Sequence, residues 1–243
     1  ALVWKTRGRQ FDSASGHNKI MDLVKKILKH FRKTILSSFR EEQLSQYFTN
    51  IISNNFSSDT LKILDFGAGY NPEVIYRLES KLRNLEFDIE ITCVDFYSDA
   101  DINKLNIKSE NISFVKFEEI EISEENYDLV IISDVLHHIG IKNLEYDKNL
   151  MNVLNIKSIL LKDHFEYSIF TRYLIIFMDF IGNYKDSVSI PNQYFNKKSY
   201  EQFLEKYNLK VVDKEENIKL YSMFYFPFNL KKIQFIHLLN SSN

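Results

Sequence analysis

Between Asn18 and Phe39 the apolar residues Ile20, Met21, Val24, Ile27, Leu28, Phe31, Ile35 and Leu36 recur at three- and four-residue spacing. That spacing predicts an amphipathic helix. From Leu61 the pattern changes to short apolar runs separated by longer amphipathic ones. LKILDF reads as a strand and PEVIYRLESKLRNL as a helix; EITCVDF, NISFVKF and YDLVIIS read as three further strands, KNLEYDKNLMNVLN as a helix and SILLKDH as a fifth strand. Strands alternating with helices predict an α/β fold, a mostly parallel sheet with helices on both faces. The apolar and aromatic residues from Phe165 to Ile181 predict another helix, KKSYEQFLEKYN a further one, and LKVVDKEENIKLY and KKIQFIHLLN two last strands. No repeat at solenoid period is visible.

Length and composition narrow this to one domain, since 243 residues with 44% apolar content supply one sizeable core. Six glycines and three prolines argue against long flexible linkers. The most apolar stretch, YLIIFMDFIG from Tyr173, contains Asp179 and is about half the length of a bilayer span, so no transmembrane segment is expected. The N-terminal residues lack the apolar core of a secretory signal, and a cytoplasmic address is expected. Cys93 is the sole cysteine, which excludes an internal disulfide and a cysteine-rich zinc site; it is expected in the core, and no metal site is expected. The net charge of −2 conceals an asymmetry: residues 1–40 carry ten Lys and Arg against Asp12 and Asp22. That basic front end reads either as a solvated helix face or as an electrostatic guide for an anionic partner.

The stretch LKILDFGAGYNP places two glycines in the turn after the first strand, where open parallel sheets bind ligands. Gly67 and Gly69 tolerate positive φ and let a ligand approach the backbone. Pro72 suits the start of the next helix, whose free amides and positive end face a polar ligand. A dinucleotide fingerprint would place a third glycine where Pro72 stands, which weakens that reading. Asp95 in CVDF, 28 residues after Gly67, has the chemistry to bind the two hydroxyls of a ribose.

Taken together, LDFGAGYNP, CVDF and YDLVIISDVLHHI resemble the class I S-adenosylmethionine-dependent methyltransferases, in particular their small-molecule branch, over about residues 59–164. The resemblance implies a Rossmann-like, seven-stranded, mostly parallel sheet with an antiparallel last strand. It divides a single domain into an N-terminal helical cap (1–58), a cofactor-binding core (59–164), a helical lid over the acceptor (165–205) and terminal strands (206–243). It implies S-adenosylmethionine as cofactor and S-adenosylhomocysteine as product. Asp65, Gly67, Ala68 and Gly69 would then frame the methionine moiety, Asp95 the ribose, and Phe96 the adenine face. The third strand ends in KFEEI, which departs from the family pattern; Phe117 and Glu118 are candidates for the adenine edge, and Phe117 equally fits a strand core. Ser133 and Asp134 would border the sulfonium or cap a helix. His138 matches a histidine of the family's loop.

A hydroxyl acceptor needs a base, and histidine takes a proton near neutral pH. His164, at the carboxyl end of the fifth strand, is the first candidate and His137 its rival, with Asp134 beside them. Lys162 and Asp163 would orient the acceptor, although alternation along a strand keeps all three neighbours from facing one cleft. His17, His30 and His237 read as surface or core. Phe165, Tyr167, Phe170, Tyr173, Phe177 and Phe180 line a helix that is either core or acceptor pocket; Tyr167, Asp179, Asn183, Tyr184 and Tyr194 are the acceptor candidates drawn from this region. The leading expectation is O-methylation of a small, sugar-type or phosphorylated acceptor in bacterial surface-glycan assembly. Alternatives are C- or N-methylation of a quinone or amine, and a non-catalytic methyltransferase-like binding protein. No N/D-P-P-Y/F-like motif follows the fourth strand and no nucleic-acid-binding module is evident, so no nucleic-acid partner is expected.

Overall fold

The computed structural model describes residues 26–27, 29–30, 38–57, 60–105, 107, 109–123, 125–139, 148–183, 191, 193–222 and 233–241. Most of the helix expected over Asn18–Phe39 lies outside them. The first described element of any length is helix α1 (Ser38–Asn55), which turns Leu44, Phe48, Ile51 and Ile52 inward at helical spacing. Strand β1 (Leu61–Phe66) follows, then α2 (Glu73–Asn84), β2 (Ile89–Asp95), the short α3 (Asp99–Ile102), β3 (Ile112–Lys116), β4 (Leu129–Ser133), α4 (Leu136–Ile139), α5 (Lys148–Leu154), β5 (Ser158–His164), α6 (Ile169–Asn183), α7 (Lys197–Lys206), β6 (Leu209–Glu216) and β7 (Gln234–Ser241).

The seven strands form one sheet in the order β3-β2-β1-β4-β5-β7-β6. β2, β3, β4 and β5 run parallel with β1, and β7 runs antiparallel to both β5 and β6. Because side chains alternate along a strand, β1 feeds two cores at once. Leu61 and Ile63 join a cluster with α1, α2 and Met178 and Ile181 of α6; Leu64 and Phe66 join another with α5 and α7. Cys93 is fully buried in the first cluster. No described helix is long and apolar enough to cross a membrane.

One expectation changes, and that for His237 narrows to one of its two readings. Within the segment read as a lid, α7 buries Tyr200 and Phe203 in the same cluster as Phe235 and Leu239, so it is a sheet-flanking helix. His237 lies buried in β7 and its Nδ1 meets the Tyr200 hydroxyl at 2.7 Å, a core role. The strand order reverses between β1 and β4, and their carboxyl ends open the crevice in which such sheets bind ligands.

Candidate active site

The turn after β1 is held from three sides. Gly67 and Gly69 have φ of 76° and 67°, in the left-handed region. The amides of Gly67 and Ala68 donate to Val94 O at 2.9 and 3.2 Å, and the Gly69 amide donates to Asp95 Oδ2 at 2.7 Å. The Tyr97 hydroxyl donates to Gly69 O at 2.7 Å. The two glycines have different reasons to lack a side chain. A Cβ on Gly67 would lie 2.5 Å from Val135 Cγ2, whereas one on Gly69 would meet nothing within 4 Å.

Beside the turn lies a cavity of about 180 Å³, walled by Asp65, Gly67, Ala68, Ser133 and Asp134 at the strand ends, by Asn71, Val74 and Ile75, and by Arg40, Leu44 and Phe48 of α1. Burial, and then the charge of Asp95, push the Asp65 carboxyl up to about 7. Asp134 has φ of 58°, uncommon for a side-chain-bearing residue, and its amide donates to Lys162 O at 3.0 Å. Its carboxylate accepts from Arg40 Nη2 at 3.0 Å and from the Lys162 ammonium, and lies 3.2 Å from His164 Nδ1, which makes no hydrogen bond to a described residue. Burial opposes ionisation there, but Lys162, His164 and Arg40 together hold the carboxyl well below the usual carboxylate range. Burial holds the Lys162 ammonium below the usual lysine range.

Behind this pair a second charged group is closed off from solvent. Asp163 Oδ1 lies 2.6 Å from His137 Nδ1 and accepts the His164 amide at 2.7 Å. His137 Nε2 faces Asp179 Oδ2 at 3.5 Å, and Asp179 in turn accepts the Tyr194 hydroxyl at 2.5 Å. Burial disfavours the charged imidazole, but Asp163, Asp179 and Asp134 outweigh it and raise His137 to about 9. His137 and then His164 hold the Asp163 carboxyl well below the usual carboxylate range despite its burial. Two sets of side chains bring possible metal ligands within 4.8 Å of one another: Asp134, His137, Asp163 and His164, and His137, His138 and Asp179.

No family model matches the sequence, and no curated protein does. Solved structures do match. The magnesium protoporphyrin IX methyltransferase of Synechocystis PCC 6803, with S-adenosylhomocysteine bound, aligns over 93% of this chain and 100% of its own at 12% identity and a TM-score of 0.54. The 1,6-didemethyltoxoflavin-N1-methyltransferase of Burkholderia thailandensis aligns over 97% and 94% at 13% identity and 0.53. The plantazolicin methyltransferase BpumL aligns over 92% and 93% at 17% identity and 0.55. The chain has the fold of the class I S-adenosylmethionine-dependent methyltransferases.

Within that methyltransferase fold the residues singled out from sequence separate into groups. Asp65, Gly67, Ala68, Ser133 and Asp134 share the cavity wall; Asp95 stands outside it, bracing the turn. Phe96 is 73% exposed with its ring 4.7 Å from Phe117, and Phe117 is buried edge-on against Phe66 at 5.0 Å, which makes it a core residue as well as a neighbour of the adenine candidate. Glu118 is exposed on the turn after β3. As alternation along β5 requires, Lys162, Asp163 and His164 do not all face one cleft, and none of them is in the cavity wall. Lys162 and His164 reach Asp134 on one side, while Asp163 on the other meets His137 from α4, so the strand end joins both. All three are buried, and only Asp134 of this network reaches the cavity together with Arg40. Asp179 and Tyr194 belong to the network, as does His138, whose ring lies tilted against that of His137 with centroids 4.3 Å apart. Tyr167 is half exposed and packs on Phe165, apart from the cavity. Asn183 ends α6, and Tyr184 lies outside the described residues.

Arg40 was missed. Sequence reading placed it in the basic front end, yet it precedes Leu44 and Phe48 at four-residue steps, which puts it on the face of α1 that lines the cavity.

Proposed function

We propose that the chain is an enzyme that transfers the methyl group of S-adenosylmethionine to a small acceptor and releases S-adenosylhomocysteine. The observation that carries this reading is the doubly left-handed glycine turn at the carboxyl end of β1, opening onto a cavity floored by Asp65 and Asp134. Asp65, which pairs with no cation among the described residues, suits the positive ammonium and sulfonium of S-adenosylmethionine once its carboxyl is ionised, while Asp134 is already paired with Arg40 and Lys162. Asp95, which already receives two backbone amides, would exchange them for ribose hydroxyls.

Methyl transfer from a sulfonium requires in-line alignment first, and a base when the acceptor is a hydroxyl. His137 is charged near neutral pH and a poor base. His164 takes that role in our reading. Asp134 accepts the hydrogen bond of the acceptor hydroxyl, and His164, 3.2 Å behind it, takes up the proton. A sugar-type or phosphorylated acceptor of surface-glycan assembly is supported by the basic front end of the sequence. N-methylation is the second reading, favoured by the same carboxylate: Asp134 is held anionic at the cavity wall and orients an amine equally well.

Titration with S-adenosylmethionine and S-adenosylhomocysteine tests the core of the proposal; a folded protein that binds neither refutes it. A methyl-transfer screen of hydroxyl and amine acceptors, with product fragmentation, then identifies the atom methylated. For a hydroxyl acceptor, His164→Asn should retain cofactor affinity and lower kcat by about 10²- to 10⁴-fold. A loss below about tenfold for both His164→Asn and His137→Gln would mean that alignment alone drives transfer, and would favour the amine.

A further inference from the structure

We propose that His137, His138 and Asp179 form a binding site for one divalent first-row transition-metal ion of the zinc type. The sequence reading expected no metal because a lone cysteine excludes thiolate sites. A histidine and carboxylate set is a different matter, and this one is assembled from α4 and the middle of α6, 42 residues apart along the chain.

Three features point to an ion rather than to a packed polar cluster. The first is distance. His137 Nε2 is fully buried and makes no hydrogen bond to any described residue. Its neighbour Asp179 Oδ2 is 3.5 Å away, too long for a charge-assisted N–H···O bond, which runs at about 2.7 to 2.9 Å. Two ligands bound at about 2.0 to 2.2 Å around a tetrahedral ion are separated by roughly 3.4 Å. The second is the support behind two of the three ligands. Asp163 holds the opposite ring nitrogen of His137 at 2.6 Å, and Tyr194 holds Asp179 at 2.5 Å. A carboxylate behind a histidine fixes the ring so that its other nitrogen, once an ion displaces its proton, is aimed as a ligand, the arrangement found behind metal-bound histidines. The third is charge. The overlapping set around Asp134 already has Lys162 and Arg40 as its cations, whereas no Lys or Arg ion pair reaches Asp179 among the described residues.

The three ligand atoms lie within 4.8 Å of one another, so binding would draw the widest pair in by at most about 1.4 Å. His138, partly buried on the four-residue α4, is the member with room to move. Three protein ligands leave a tetrahedral ion one open position, for water. The site does not depend on the methyltransferase reading, since ion binding is measured without cofactor.

The test uses the full chain, freed of any affinity tag and stripped with a chelator. Zn²⁺ is titrated in competition with a chromogenic chelator, and Co²⁺ is followed by its visible absorption. One equivalent should bind with micromolar or tighter Kd, and Co²⁺ should give the intense bands of a four- or five-coordinate ion. Asp179→Asn and His138→Gln should each weaken binding by more than about 100-fold, and Asp163→Asn by about 10- to 100-fold, the range for loss of an outer-shell partner. Unfolding midpoints of the metal-free variants show that each is folded. Wild-type protein that takes up neither ion at millimolar concentration overturns the proposal without any variant. So does binding that survives both Asp179→Asn and His138→Gln, or that falls equally with Asp134→Asn.

Discussion

Replacing Gly67 by alanine should cost far more than the same change at Gly69, although both occupy one turn and both have positive φ. A non-glycine residue held in an uncommon backbone region costs about 1 to 3 kcal/mol, and that term applies to both. Only at Gly67 does the new methyl collide, at 2.5 Å from Cγ2 and 3.2 Å from Cγ1 of Val135. Valine has one strongly preferred χ1 well and cannot swing aside cheaply. Forcing an extra carbon into a packed site adds about 1 to 3 kcal/mol. Gly67→Ala should therefore exceed Gly69→Ala by about 1 to 3 kcal/mol, a further drop in Tm of about 2 to 4 °C for each kcal/mol in a chain of this size. Thermal unfolding of both variants measures the difference. The clash term is separable, because Val135→Ala removes its partner: in the double variant Gly67→Ala/Val135→Ala the collision is gone while the backbone term stays, so the two changes should cost less together than the sum of their single effects. Val135 also follows Asp134, so the single Gly67 variant should lose cofactor affinity as its collision displaces the cavity wall. Equal destabilisation at Gly67 and Gly69, or strict additivity with Val135→Ala, would refute the steric account of this turn.

Asp95→Ala should weaken cofactor binding by about 1 to 3 kcal/mol, since it removes hydrogen bonds to a charged group and the brace on the Gly69 amide; a Kd within twofold of wild type in calorimetry removes Asp95 from the site. The Asp65 carboxyl is raised to about 7 in the fold, so it binds a proton more tightly than in the unfolded chain, and ionising it costs stability as pH rises from about 4 toward 7. A cationic cofactor favours its ionised form, so binding should strengthen from pH 6 to 8 and release protons, an effect that buffers of different ionisation enthalpy detect and that Asp65→Asn should abolish. His137 acts in the same direction at higher pH: its folded value of about 9 lies above the ordinary 6.5, so its contribution to stability is complete below about pH 6.5 and is lost as pH rises through 9. Chemical denaturation of metal-free protein should show that decline, and His137→Gln should be less stable at pH 6 with a flatter profile; parallel profiles would contradict the ion pair with Asp163.

The strands that matched the sequence reading residue for residue are β1 and β5, LKILDF and SILLKDH. Both are apolar runs bounded by turn-forming or polar residues, and nearest-neighbour chemistry sets their limits. The left-handed glycines were legible for the same reason, because tolerance of positive φ belongs to the residue itself. So was the switch-point position of the turn, since alternating strands and helices admit few sheet orders. By contrast, both α6 and α7 read as helices after β5 that could cover an acceptor, and only packing against Phe235 and Leu239 shows that α7 flanks the sheet. The charged network was legible as a set of residues but not as a network. Whether Lys162, Asp163 and His164 diverge or converge depends on what lies on each side of the strand end, and those partners come from α1, α4 and α6, whose approach is decided by burial of distant apolar faces. Local chain chemistry determined the elements and the turn of this protein; the meeting of Arg40, Asp134, His137, Asp163 and Asp179 in one desolvated site, and the protonation that follows from it, was decided only when the two cores closed on the sheet.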